Sequence, residues 1–142
     1  MEELTEIYND LLDKGVMMFA GNYHLSGDTD AATIKLGDNF GVFLDVNKIR
    51  TLRQEKEAVV HEWAHIVEDA TYCVDAPPAI RQKAELRAER RTIKKLLPVE
   101  RLRAAMQNGI TEVWELADFF NVSESLITDA VEFYTGPCGL KF

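Results

Sequence analysis

Two cysteines, Cys73 and Cys138, are too few to staple a chain of 142 residues, so a disulfide framework is excluded and both are expected as reduced thiols, Cys73 as a small buried one. No apolar run approaches the roughly 20 residues that a membrane span needs. The acidic start Met1-Glu2-Glu3-Leu4 is the opposite of the basic opening of a secretory signal. A soluble, cytoplasmic protein is expected. Positive charge is also scarce: 16 Lys and Arg stand against 24 Asp and Glu, a net charge of −8, which argues against a general nucleic-acid binder. Nine of those 16 cations fall between Arg81 and Arg103, interleaved with Glu85 and Glu89, as the solvated face of a helix or a surface for an acidic partner. Histidine is rarest of all, with three in the chain, and two of them stand four residues apart.

With 46% hydrophobic and 28% charged residues, the chain can build one domain with a real core. It contains no repeat, low-complexity tract or linker. One domain over 1–142 is expected, with a helix and sheet in 1–50, a pair of helices in 51–97 and a helical tail in 98–142. Leu4, Ile7, Tyr8, Leu11 and Leu12 recur at helical spacing until Gly15. Three short apolar runs follow, 16–20, 32–36 and 41–46, separated by Gly- and Asp-containing turns, and predict three strands in a meander. Thr51 with Gln54 predicts a capped helix to about Asp69. Pro77-Pro78 marks a loop, 79–97 reads as helix stopped by Pro98, and Gly109 ends the next one. The tail predicts a helix over 111–120, a break at Asn121-Val122 and a last helix from the N-cap Ser123 to about Tyr134.

The helix predicted from Thr51 carries His61-Glu62-Trp63-Ala64-His65, an HExxH pentapeptide. Positions four apart share a helix face, so the two imidazoles can close on one metal ion while Glu62 faces the ion's open side. Two histidines and a water leave a tetrahedral zinc site one protein ligand short. His24 precedes the site and is expected to pack or cap a turn. Glu85 and Glu89, one turn apart on the next helix, are the better candidates, and Glu85 is preferred because Ala88 lets the helices approach on its face. The alternative makes both glutamates surface partners of Arg81, Lys83 or Arg91. Asp69 has two readings as well: a carboxylate accepting an N–H from a ligand histidine, or a solvent-facing helix end, and Glu68 is weighed with it. On the catalytic reading Glu62 is the general base, and Tyr72 either donates its phenol to a developing oxyanion or only covers the core.

His61-Glu62-Trp63-Ala64-His65, the loop Tyr72 to Pro78, and Glu85-Leu86-Arg87-Ala88 followed by Lys95-Leu96-Leu97-Pro98 together resemble the ImmA/IrrE metallo-endopeptidases, especially the short members associated with phages and mobile elements. The strand Gly41 to Val46, Glu55-Lys56, Trp114-Glu115-Leu116-Ala117 and Phe120-Asn121-Val122 extend the similarity over nearly the whole chain. The resemblance implies zinc held by His61, His65 and Glu85 in a gluzincin-like set, with Glu62 as base; manganese is the alternative ion for such donors. It implies a zincin-like α+β fold: a three-stranded sheet packed on the HExxH helix, with a C-terminal helical region. It implies as substrate a helix-turn-helix repressor that keeps a mobile element silent. Ala64 replaces a position that is often glycine, and Arg90-Arg91 stand where many members carry an aromatic. A rival of another class is a metal-containing antirepressor or antitoxin-like module that binds its partner without cutting it. The tail has the spacing of a DNA-binding helix-turn-helix, yet its second helix carries Glu124, Asp129 and Glu132 and no cation, so packing or substrate docking is expected there and direct DNA binding is not.

Overall fold

In the computed structural model, which describes residues 2–73 and 75–142, the chain opens with α1 (Glu2–Asp13). Leu4, Ile7 and Leu11 are its buried stripe. Gly15, at φ +77°, closes the helix: its N–H donates to the Leu12 carbonyl and the Val16 N–H to that of Leu11, a left-handed C-terminal turn that suits a residue without a Cβ.

Strands β1 (Met17–Gly21), β2 (Ala31–Leu36) and β3 (Asn39–Asp45) form one sheet in the order β1-β3-β2. Here the expected meander is corrected. β2 and β3 do make an antiparallel hairpin, Leu36 opposite Asn39 across the turn Gly37-Asp38, but β1 lies parallel to β3, from Met17 beside Gly41 to Gly21 beside Asp45. The physical reason is the length and tethering of the connection from 22 to 30. A tight turn would force β1 against β2; this segment is long enough to pass over the end of β3. Three features of β3's end hold it there. The Leu25 N–H donates to the Asp45 carboxylate at 3.4 Å, and the Asp45 N–H donates to the Asp30 carbonyl at 2.9 Å. The Lys48 ammonium donates to the carbonyls of Leu25, of Gly27 at 2.7 Å and of Thr29 at 2.9 Å.

Helix α2 (Leu52–Val67) lies on the sheet, burying Ala58, Val59, Val60 and Ala64 along with Val42, Leu44 and Ala31 of the strands. Thr51 caps it by accepting the Gln54 N–H, while the Gln54 side chain reaches back to the Arg50 N–H, one residue earlier than in a standard capping box. α1 packs on α2 with its polar atoms matched: Trp63 Nε1 donates to Asp10 at 2.7 Å, the Tyr8 hydroxyl to Glu55 at 2.5 Å, and the buried Lys56 ammonium is 3.7 Å from Glu3.

The remaining elements are α3 (Pro78–Leu96), α4 (Val99–Gln107), α5 (Val113–Phe120) and α6 (Glu124–Thr135), within a residue or two of the sequence expectation. The chain forms two compact units, residues 1–89 and 90–142. In the second, Ile93, Leu96, Leu97, Leu102, Leu116, Ile127 and Ala130 make the core, and the buried Tyr134 hydroxyl donates to the Leu97 carbonyl at 2.7 Å. Asn121, at φ +55°, makes the turn between α5 and α6, and the Ser123 hydroxyl caps α6 through the Leu126 N–H. Among the described residues the architecture is therefore α+β, with six helices and one three-stranded sheet. No helix among them is long and apolar enough to cross a membrane.

Candidate metal centre

Helical spacing in α2 sets the rings of His61 and His65 one above the other, 4.8 Å between centroids and nearly perpendicular at 85°. The carboxylate of Glu85 comes in from α3. Its Oε2 lies 2.9 Å from His61 Nε2 and its Oε1 3.2 Å from His65 Nε2. The ligand atoms of the three side chains all fall within 4.8 Å of one another, and the group can hold a metal ion. Ala84 and Ala88, both buried, flank Glu85 on α3, consistent with the small-residue argument that favoured it over Glu89, which is not in this group.

The second nitrogen of His65 explains why its Nε2 is the one presented. His65 Nδ1 is 2.8 Å from the Ala70 carbonyl, an acceptor only, so Nδ1 carries a proton and Nε2 faces Glu85. That carbonyl is delivered by the helix end. Asp69 adopts the left-handed conformation, φ +49°, its N–H donates to the Ile66 carbonyl and the Ala70 N–H turns back to that of His65 at 2.8 Å. Of the two readings of Asp69, the solvent-facing helix end is the one found: Asp69 is exposed, and the acceptor that supports His65 is the main chain one residue later. Arg87, donating to the Glu68 carbonyl at 2.7 Å, ties the same helix end to α3.

Electrostatics follow from this packing. Burial alone would raise the Glu85 carboxyl, yet contacts with His61, His65 and the Tyr72 hydroxyl hold it well below the usual carboxylate range. Burial alone would depress His65, but Glu85 and the Ala70 carbonyl outweigh it and raise its affinity for a proton. Tyr72 donates to Glu85 Oε1 at 2.7 Å, and burial with that hydrogen bond pushes its phenol up to about 12. Tyr72 does not cover the core, being 38% exposed; its hydroxyl is engaged with the candidate ligand.

Glu62 is 6% exposed, and burial pushes its carboxyl up despite the neighbouring imidazoles. One oxygen, Oε1, accepts a hydrogen bond from Thr33 Oγ1 at 2.8 Å. Sequence reasoning did not single out Thr33 or the Ala70 carbonyl. The first left a faint trace, a hydroxyl at a strand position that shares a face with buried Ala31; the second, a backbone atom, left none. His24 and Cys73 are exposed and outside the group, the latter contrary to the buried thiol expected.

The fold and site thus define an α+β protein with a two-histidine, one-carboxylate group able to bind a metal ion, with a buried glutamate in the same helix. Comparison of the chain with protein-family models, with curated proteins and with solved structures returned no match.

Proposed function

We propose that this chain is a zinc-dependent endopeptidase of the zincin-like, ImmA/IrrE-related type, acting in the cytoplasm on a specific protein. The substrate class that the sequence resemblance implies is a helix-turn-helix repressor of a phage or mobile element. The observation that carries the reading is Glu62: a carboxylate buried beside the His61, His65 and Glu85 group, with its proton affinity raised and one oxygen fixed by Thr33. A surface glutamate on a helix needs no such holding, whereas a proton shuttle does. His61, His65 and Glu85 would hold the ion, and their nitrogen and carboxylate donors suit zinc and also manganese. Bound there, the ion would supply Lewis acidity, polarising a carbonyl and lowering the pKa of water towards about 7.

The remaining work falls to the protein. Glu62 takes the proton of the attacking water and passes it to the leaving amine; its raised pKa brings it closer to the range in which both steps run at neutral pH. Thr33 keeps Glu62 in one rotamer, leaving the second oxygen free for the proton. Tyr72 and the Ala70 carbonyl orient Glu85 and His65. β2 is an edge strand, so an extended peptide can pair along it, on the same strand as Thr33.

The deciding experiment compares wild type with Glu62→Gln, both loaded with zinc and incubated with a candidate repressor, with products read by mass spectrometry. Expected is about one metal per chain in both proteins and cleavage by wild type alone. Cleavage by the variant at the wild-type rate would refute the mechanism. Binding of the repressor by both proteins with cleavage by neither would establish the antirepressor function instead.

A further inference from the structure

From residue 104 to residue 140 the chain has no lysine or arginine, and it carries Glu112, Glu115, Asp118, Glu124, Asp129 and Glu132. In the second unit the rings of Phe120, Phe133 and Phe142 lie under cations. Arg90 and Lys94 lie 5.1 and 5.8 Å from the centroid of Phe133, Arg101 lies 5.5 Å from that of Phe120, and Arg103 lies 5.8 Å from that of Phe142. α5 also carries two rings that depart from this pattern. It turns Leu116, Ala117 and Phe120 inward and leaves Trp114 and Phe119 outward, 59% and 57% exposed, with the exposed Asp118 and half-buried Glu115 on the same arc. Among the described residues no cation lies over either of these two rings.

We propose that the outward face of α5 is a docking surface for an arginine-rich segment of a partner protein. Two large aromatic faces interleaved with carboxylates satisfy both properties of a guanidinium: its plane stacks on a ring, and its N–H fork finds oxygen acceptors. The sign of the surface selects the occupant. A polyphosphate backbone or an anionic bilayer would meet Glu115 and Asp118 on this face, within a stretch of sequence that has six carboxylates and no cation. A second copy of this chain is the competing occupant that the test must separate, although four of its 16 cations, Arg90, Lys94, Arg101 and Arg103, are already seated over its own rings. Exposed tryptophan and phenylalanine without a cation are what an interface hot spot presents before its partner arrives. The inference stands whether or not the metal centre hydrolyses peptides.

Calorimetric titration of the full chain tests it, with synthetic helical peptides carrying arginine at every third or fourth position and counterparts carrying lysine or glutamate. At physiological salt the arginine peptide is expected to bind, the lysine one more weakly and the glutamate one not at all. Trp114→Ala with Phe119→Ala, which leaves the charge unchanged, should weaken arginine-peptide binding by about tenfold or more. The single variant Asp118→Lys should weaken it too; Phe119 stands edge-on to the buried Phe120, 5.0 Å between centroids, so the charge variant keeps that contact, and circular dichroism of both variants should stay that of wild type. Equal affinity of wild type and both variants would reduce the effect to diffuse charge and overturn the proposal. So would equal affinity for the lysine peptide, no arginine-peptide binding, or sedimentation showing a wild-type dimer that the aromatic double variant loses.

Discussion

Removing Glu85 separates the metal reading from a plain ion-pair reading of the same three side chains. Without metal, the carboxylate lies 2.9 and 3.2 Å from two imidazole nitrogens, but its side chain is 44% exposed, so the attraction is screened. Glu85→Ala should therefore cost the metal-free protein no more than about 1 kcal/mol. With metal the effect is of another size. Loss of an outer-shell partner weakens binding about 10–100-fold, so loss of a ligand should weaken it at least about 100-fold. At a free zinc concentration near 100 times the wild-type dissociation constant, wild type gains about 2.7 kcal/mol and the variant only about 0.4 kcal/mol. At about 3 °C per kcal/mol for a chain of this size, zinc should raise the melting temperature by roughly 8 °C in wild type and roughly 1 °C in the variant. Glu89→Ala, one turn further along α3, should behave as wild type. The assay is differential scanning calorimetry with buffered zinc. An undiminished shift in Glu85→Ala, or a shift lost only in Glu89→Ala, would refute the ligand assignment.

Thr33→Val removes the hydroxyl that holds Glu62 and leaves the shape, so kcat for any cleaved substrate should fall about tenfold or more while zinc-induced stabilisation stays at the wild-type value; Thr33→Ser should restore much of the rate. Unchanged kcat in the valine variant would mean that Glu62 needs no positioning. In the metal-free protein, ultraviolet titration of tyrosine should show Tyr72 ionising near 12, assigned as the transition missing from Tyr72→Phe. The sign is that of a raised acid: the contribution of this hydrogen bond to stability is full below about 10 and is lost as pH rises through about 12. Ionisation of Tyr72 near 10 would show that its hydroxyl does not bind Glu85 in solution.

Local signals in the sequence told most of the fold. Apolar periodicity, Gly15, Thr51, Pro98, Gly109 and Ser123 each act within a few residues, and the helices they predict appear within one or two positions. Sheet order was not legible, because the alternation that marks β1 as a strand says nothing about which neighbour it chooses. That choice was settled by Asp45 and Lys48 fastening a distant loop. At the site, His61, Glu62 and His65 follow from helical spacing, and Glu85 from the alanine one turn on. What supports them did not follow. Asp69 was read by its carboxylate, when its contribution is a left-handed backbone that turns the next carbonyl towards His65. Thr33 reaches Glu62 across 29 residues of sequence, beyond any periodic pattern.

The parallel pairing of β1 with β3 also bears on the order in which the sheet assembles. The β2–β3 hairpin closes across a two-residue turn, whereas Met17 must find Gly41 through an intervening strand and a tethered crossover. Closing the larger loop costs more chain entropy before any contact is gained, so we expect the hairpin to be formed in the folding transition state and β1 to dock after it. Core substitutions in β3 such as Val42→Ala should then slow folding, while Met18→Ala in β1 should act mainly on unfolding; the reverse pattern would place β1 in the nucleus. Thr33 sits on the early hairpin. The strand that fixes Glu62 would thus be in place before the sheet is complete, and late fraying of β1 would leave that hydrogen bond intact.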